Sequence, residues 1–219
     1  MAPSLHISRR RALELTGAGI ALAATAGLPS AAFAQAAKVS PDLLLQEQPL
    51  PDLWLGKADA PVTIIEYAST TCSHCASFHT GAFKELKEKY IDTGKARFVL
   101  REFPLNNVDK AAYMLARCSG EDKRYPVVDL LFSQQKAWMN DKPLASLNTL
   151  MKQTGMSQTA FEACLKDKDL YDKLDKQSEN AAQKFGVNST PTFFVNGQRL
   201  VGAQPLSEFE KLMQPFLKS

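Results

Sequence analysis

The stretch VTIIEYASTTCSHC, residues 62–75, decides the fold predicted for this chain. Its first six residues are mostly β-branched and follow Pro61, which predicts a strand buried on both faces. Its last four residues, Cys72-Ser73-His74-Cys75, begin a helical pattern that continues to Tyr90. A pair of cysteines in C-x-x-C spacing therefore lies where a strand ends and a helix begins.

The rest of the chain contains further predicted strands and helices. Residues 96–103 form a second strand, and a strand–helix–strand unit predicts a parallel pair with a right-handed crossover. Residues 109–185 are helical throughout. Residues 192–201 contain two short strands joined by Asn196-Gly197, a strong hairpin signal because both residues must adopt positive φ. A last helix begins at Pro205.

This order of elements predicts an α/β protein with a thioredoxin fold and an inserted helical domain. The thioredoxin-like domain comprises residues 56–106 and 187–219, and the helical insertion comprises residues 107–186. Residues 35–55 are polar and contain several prolines, so we interpret them as a short lead-in rather than a domain.

The N-terminus has the order of an export signal, residues 1–34. Three arginines at 9–11 precede an apolar stretch, residues 15–28, and the small-x-small motif Ala32-Phe33-Ala34 predicts cleavage after Ala34. A membrane anchor is the alternative, although the stretch is short for a span of about 20 residues. The arginines also resemble a twin-arginine signal, so both general secretion and twin-arginine export stay open.

Charge and composition narrow the classes of function. The whole chain carries a formal net charge of +3, and residues 1–34 contribute three arginines and one glutamate to it. The mature chain is therefore close to neutral, which excludes the strongly basic footprint of a nucleic-acid-binding protein. Four cysteines remain after cleavage, an even number typical of an exported, disulfide-containing protein.

The C-x-x-C pair predicts thiol–disulfide chemistry. Unpaired backbone N–H groups and the helix dipole at a helix N-terminus stabilise a thiolate, which makes Cys72 the predicted nucleophile. His74 adds a donor and, when protonated, a positive charge beside the sulfur. Cys75 lies one turn further along and is the predicted resolving thiol, which attacks a mixed disulfide and releases the product.

A metal site is the competing interpretation of this motif. His74 and His79 are the two histidines of the mature chain and lie near Cys72 and Cys75. A four-cysteine zinc site needs a second close pair, and haem attachment needs histidine where Ala76 stands. We favour redox chemistry, expect His79 near the helix surface, and expect neither a metal nor an organic cofactor.

The other two cysteines, Cys118 and Cys164, lie far apart in the helical region. Cys118 shares an apolar helical face with Met114, and Cys164 lies beside Phe161. Both are therefore expected to face the core, either as small hydrophobic side chains or as a disulfide. An oxidising compartment favours the disulfide.

Several segments resemble the DsbA family of periplasmic thiol oxidoreductases. Residues 66–75 are similar to its active-site segment, and residues 56–62 to the start of its first strand. Residues 101–105, Arg-Glu-Phe-Pro-Leu, and residues 189–193, Ser-Thr-Pro-Thr-Phe, match two further motifs. The resemblance covers residues 55–216 and implies the same fold with the helical insertion.

The resemblance also implies roles for individual residues. Pro191 would follow a cis peptide bond and face the cysteines, with the backbone of Thr190 free to pair with a bound peptide. Glu66 would be a buried carboxylate that moves protons to and from Cys75, and its place on the face of the strand that Val62 occupies favours burial. Ser73 departs from the proline common in well-known oxidases, which leaves the redox potential open.

These observations favour a periplasmic oxidase that donates its Cys72–Cys75 disulfide to unfolded or reduced exported proteins. The resemblance implies a DsbB-type membrane oxidase as partner, and we expect a monomer that binds no nucleic acid. A disulfide isomerase or reductase is the alternative within the same chemistry. A periplasmic metal-binding thiol protein that uses Cys72, Cys75, His74 and His79 is the alternative from another class.

Overall fold

A four-stranded sheet forms the centre of the computed structural model, which describes residues 38–217. The predicted signal segment and its cleavage site near Ala34 lie outside the described residues. The strands are β1 (Val62–Ala68), β2 (Ala96–Glu102), β3 (Thr192–Val195) and β4 (Gln198–Val201). Their spatial order is β2-β1-β3-β4, with β1 parallel to β2 and the other neighbours antiparallel. The predicted parallel unit and hairpin are thereby confirmed.

The hairpin between β3 and β4 depends on its two turn residues. Asn196 has φ 44° and Gly197 has φ 84°, as the Asn-Gly signal predicts. A side chain at Gly197 would collide with the carbonyl oxygen of Val39, and the Gly197 carbonyl accepts a hydrogen bond from the Val39 N–H at 2.9 Å. This position therefore requires glycine for both its conformation and the close approach of the lead-in.

The helices within residues 38–217 cover both faces of the sheet and fill the region that was predicted to be helical. In chain order they are α1 (Pro41–Leu44), α2 (Ser73–Thr80), α3 (Ala82–Leu86), a π-helical turn (Lys87–Ile91), α4 (Asn107–Cys118), α5 (Glu121–Ser133), α6 (Gln135–Trp138), α7 (Pro143–Gln153), α8 (Gln158–Leu165), α9 (Lys168–Phe185) and α10 (Leu206–Leu217). No helix in this part of the chain is both long and apolar enough to cross a membrane.

The helix that follows the cysteine motif is interrupted, contrary to the prediction of one pattern to Tyr90. Gly81 separates α2 from α3 with φ −118° and ψ −103°, which lies outside the helical region. Phe78 before the break and Leu86 after it are both buried in the same core. The apolar periodicity therefore survives a break that the periodicity alone does not reveal.

Both faces of β1 are buried, as predicted. Val62 and Ile64 belong to a large hydrophobic core that includes residues of α2, α10 and the helices α4 to α8. Ile65 and Tyr67 point to a smaller core with the C-terminal end of α9. The helical insertion therefore shares its core with the sheet.

A disulfide joins Cys118 on α4 to Cys164 on α8, with 6.1 Å between the two Cα atoms. Cys164 is buried in the large core, as expected. Cys118 is exposed, so the expectation that both cysteines face the core is wrong for this residue. The reason is its place as the last residue of α4, where the helix leaves the core.

The lead-in, residues 38–55, packs against the sheet instead of forming a unit of its own. Leu55 forms a β-bridge with Phe98 on β2. Asp52 forms a 2.7 Å ion pair with Arg101, whose side chain is 1% exposed. A buried guanidinium needs such a partner, so the lead-in stabilises β2.

Candidate active site

Cys72 lies immediately before α2, in the loop that follows the carboxyl end of β1. Its backbone is extended, with φ −81° and ψ 120°, and its carbonyl oxygen accepts a hydrogen bond from the Ala76 N–H at 3.1 Å. The N–H groups of His74 and Cys75 are oriented toward the Cys72 sulfur. The local sequence thus forms the helix N-terminus that was predicted to hold a thiolate.

The second loop of the site contains Pro191, which follows a cis peptide bond from Thr190. The Cys72 thiol donates a hydrogen bond to the Thr190 carbonyl oxygen, with 3.3 Å between sulfur and oxygen. Pro191 is buried and Thr190 is partly exposed. The two loops therefore meet at the nucleophile that the sequence predicts.

The surroundings of Cys72 stabilise its thiolate. The pKa of the Cys72 thiol is lowered to about 5, chiefly because the Cys75 thiol hydrogen bonds to its sulfur. Partial burial acts in the opposite direction, and donors from the Thr190 side chain and from the backbone of Cys75 and His74 add to the lowering. The imidazole of His74 is exposed, so the role predicted for that ring stays a prediction.

Cys75 has the opposite environment. It is fully buried, and burial is the main reason why the pKa of its thiol is raised above the usual range. The hydrogen bond to Cys72 and the negative charge of Glu66 raise it further. The surroundings therefore favour a thiolate at Cys72 and a neutral thiol at Cys75.

Glu66 lies on β1 beneath this pair and is buried, as predicted. Its Oε2 atom is 2.8 Å from Nε2 of His79 on α2. The expectation that His79 lies near the helix surface is wrong, because its side chain is only 1% exposed. The ring of Phe132 stacks on the imidazole at 4.3 Å, which explains why His79 is accommodated inside the core.

Two side chains from the helical block hold the loop before Cys72. Asp109 on α4 accepts hydrogen bonds of 2.5–2.9 Å from Ser69, Thr70 and the backbone of residue 105. Gln135 on α6 donates to the carbonyl oxygens of Thr70 and Cys72 at 2.8 and 3.0 Å. The sequence analysis missed both residues, because no local motif connects them to a loop so far away in the chain.

The metal interpretation finds no support in the arrangement of these side chains. His79 is paired with Glu66, and His74 is exposed. Among residues 38–217, no group of three or more histidine, cysteine, aspartate or glutamate side chains could hold a metal ion. The four residues named for that interpretation therefore do not form a common site.

Comparison with known proteins indicates the same class of protein as the geometry of the site does. A family model described as thioredoxin matches residues 49–215. A protein of Rickettsia bellii, named as a protein-disulfide oxidoreductase, is 35% identical over 148 residues, which are 67% of this chain and 57% of the relative. The chain thus spans little more than half the length of such curated relatives.

Solved structures agree over most of the chain. Wolbachia pipientis α-DsbA1 has 32% identity and a TM-score of 0.74, covering 82% of this chain and 96% of that one. Bacillus subtilis BdbD has 21% identity and a TM-score of 0.67, covering 84% and 98%, and supports the fold alone. The chain belongs to the DsbA-like family of thiol:disulfide oxidoreductases within the thioredoxin class.

Proposed function

We propose that this protein is a dithiol oxidase that donates its Cys72–Cys75 disulfide to reduced exported proteins. The observation that carries the proposal is the opposite direction of the two thiol pKa values, about 5 for Cys72 and raised for Cys75. A stabilised Cys72 thiolate favours the reduced pair, and a pair that favours reduction is an oxidant toward other thiols. We assign Cys72 as the nucleophile and Cys75 as the resolving thiol.

The size of this effect sets an expectation for the reduction potential. Relative to thioredoxin, with a pKa near 7 and about −270 mV, a pKa of about 5 raises the potential by at most about 50 mV at pH 7. Solvent screening of the partly exposed sulfur reduces that gain. Structural disulfides of secreted proteins lie below about −300 mV, so even this potential permits donation to them.

The test is equilibration of the purified protein with glutathione buffers, followed by quantification of the Cys72–Cys75 disulfide. A potential above that of thioredoxin, by up to about 50 mV, supports the oxidase. A potential at or below about −270 mV overturns it in favour of a reductase. A Cys118→Ala, Cys164→Ala variant serves as the control, because the measured disulfide must be the one between Cys72 and Cys75.

The proposed substrates are unfolded or reduced polypeptides. The backbone of Thr190, beside the cis peptide bond, lies in contact with Cys72 and could align an extended peptide with the sulfur. A groove of about 700 Å³ also borders α2, with Ser73, Ala76 and Lys136 among its lining residues. Oxidation of a dithiol peptide, compared with a peptide that has the same cysteines in a folded hairpin, tests the preference.

The proposed compartment and partner follow from the export signal and the family. We propose cleavage near Ala34, a periplasmic monomer, and reoxidation by a DsbB-type membrane oxidase. Mass analysis of the mature protein would locate the cleavage site, and gel filtration would give the oligomeric state. Quinone-dependent reoxidation in membranes from which the oxidase has been deleted would contradict the proposed partner.

A disulfide isomerase is the second candidate, because the pKa of Cys72, about 5, lies between that of DsbA, about 3.5, and that of thioredoxin, about 7. A thiolate whose thiol has an intermediate pKa attacks non-native disulfides and is also displaced from the mixed disulfides that result. Refolding of a protein with scrambled disulfides separates the two candidates. Recovery of native pairing without added oxidant would favour the isomerase.

A further inference from the structure

His79 lies between two carboxylates that face different environments. Its Nε2 atom is 2.8 Å from Oε2 of Glu66, which is fully buried. Its Nδ1 atom is 3.9 Å from Oδ1 of Asp129 on α5, whose side chain is 59% exposed. These three side chains form a continuous series from the interior beneath Cys75 to the solvent.

Two atoms of this series take no part in the hydrogen-bond network of the described residues. Within the described residues, Oε1 of Glu66 and Nδ1 of His79 are buried and have no hydrogen-bond partner. Buried polar atoms are nearly always paired, so an unpaired one calls for an explanation. Both belong to groups that can bind and release protons.

His79 lines a cavity of about 370 Å³. The cavity lies between α2, α3 and α5, and its lining includes His79, Lys84, Lys87, Asp129 and Phe132. The Phe132 ring, stacked at 4.3 Å and 16° on the imidazole, fixes the plane of the ring. One nitrogen is thereby directed to Glu66 and the other to Asp129, a separation of roles that imidazole allows.

Several other titratable groups surround this series. Burial raises the pKa of the Tyr113 and Tyr125 phenols, which lie near enough to sense the charge of Glu66. Lys84 and Lys87 are the cations near Asp129. Burial also raises the pKa of the Asp129 carboxyl, against the opposing effect of His79 and the two lysines. A carboxyl with a raised pKa exchanges protons with imidazole more readily.

We propose that His79 and Asp129 form a proton relay that connects Glu66, and through it Cys75, with the solvent. The relay rests on the proposed function, since it supplies the proton that disulfide exchange requires. Cys75 has no exposed surface, so its proton needs a route through the protein. The sequence analysis assigned proton transfer to Glu66 alone and gave His79 no part in it.

Protons and electrons are accounted for at each step of the reaction. A substrate thiolate attacks Sγ of Cys72, the Cys72–Cys75 bond breaks, and Cys75 leaves as a thiolate. The Glu66 carboxylate takes the proton of Nε2 of His79 and passes it to Cys75, and Nδ1 of His79 receives a proton from Asp129 or solvent. The second substrate thiolate then displaces Cys72, so the substrate dithiol is oxidised by two electrons and the pair is reduced. The same series run backward removes the proton of Cys75 before it attacks.

The reverse direction provides the experiment, because an aromatic disulfide such as 5,5′-dithiobis(2-nitrobenzoate) separates the two cysteines in time. In stopped flow, Cys72 of the reduced protein attacks and releases one coloured thiolate. Cys75 then attacks the mixed disulfide and releases the second. Only the second phase requires Cys75 to lose its proton, so only this phase reports on the relay.

For His79→Ala we expect an unchanged first phase and a second phase slower by about tenfold to a hundredfold. Free imidazole should restore the second phase through the enlarged cavity, whereas pyrazole, of the same size but weakly basic, should not. His79→Gln, which keeps a hydrogen bond to Glu66 but cannot relay a proton, should be slow without rescue. It remains informative if the alanine variant fails to fold.

Asp129→Asn should slow the second phase about threefold, with Asp122→Asn on the same helix as the matched loss of charge. A second phase at the wild-type rate in His79→Gln would overturn the relay, as would equal rescue of His79→Ala by imidazole and pyrazole. Equal rates for the two aspartate variants would remove Asp129 from it. Failure of the proposed function is distinct, because it would appear as a potential at or below about −270 mV in the glutathione equilibration, while the wild-type protein would still release both thiolates.

Discussion

Cys72 and Cys75 are free thiols at the end of the sheet, whereas Cys118 and Cys164, 46 residues apart, are joined in a disulfide within the helical block. Hydrogen-bond donors surround Cys72 and lower the pKa of its thiol to about 5. Cys164 instead belongs to the large hydrophobic core. Hydrogen-bond donors stabilise a thiolate in the first pair, whereas the second pair is already joined in a disulfide.

The difference teaches that the number of cysteines does not reveal what each pair does. Four cysteines in an exported chain are compatible with two structural disulfides, two redox pairs or a metal site. The environment decides between them, and it comes from residues that are distant in the sequence. The following experiments test this contrast by exchanging or removing the features that separate the two pairs.

The largest expected effect is on activity. Cys72→Ser should abolish oxidation of a dithiol peptide, because serine supplies no sulfur for the mixed disulfide. The double variant Cys118→Ala, Cys164→Ala should oxidise the peptide at a rate within about twofold of wild type. A large loss of rate in the double variant would show that the distant pair takes part in exchange.

The second effect is on stability. Removal of the Cys118–Cys164 bridge, which closes a loop of 46 residues, should lower the free energy of unfolding by about 4 kcal/mol. Denaturant unfolding of the oxidised wild type and the double alanine variant measures this difference. A loss below about 1 kcal/mol would contradict the assignment of a structural role to the bridge.

The third effect concerns the loop that carries Cys72. Asp109→Asn replaces one accepting oxygen by a donor and leaves some of the Ser69, Thr70 and Leu105 donors unpaired, which should cost roughly 2 kcal/mol of unfolding free energy. Asp122→Asn, at an exposed position, should change it by less than about 0.5 kcal/mol. Equal losses in the two variants would exclude a specific hold on the loop.

The fourth effect is a pH dependence of stability. The pKa of Cys72 is about 5 in the folded reduced protein and near 8.5 in an unfolded chain. The depressed value stabilises the reduced protein above pH 8.5, and this contribution is lost as the pH falls toward 5. The denaturation midpoint of the reduced protein, relative to the oxidised one, should therefore rise between pH 5 and pH 8. An unchanged difference would contradict the stabilised thiolate.

Much of the fold could be predicted because its signals are local. The β-branched run of β1, the Asn196-Gly197 turn and the glycine that ends α9 are each determined by steric preferences of neighbouring residues. The C-x-x-C motif and its place before α2 are equally local. These features position both cysteines of the site without any knowledge of distant contacts.

The remaining features depend on contacts that a pattern does not encode. Periodicity places His79 on a helix but does not reveal that Glu66 lies opposite it on β1. Nothing near Asp109 or Gln135 indicates that their partners lie in residues 69–72. The break at Gly81 is not predicted from the sequence either, because the apolar residues on both sides keep their spacing.

Cys72 forms hydrogen bonds with Gln135 and with the Thr190 loop. These contacts have a consequence for the newly made chain. During synthesis Cys72, Cys75 and Cys118 emerge before Cys164 and before the loop that completes the site. Three thiols are then available at once, with none of the later contacts to distinguish them. The nascent protein is therefore itself a candidate for mispairing until these later contacts form.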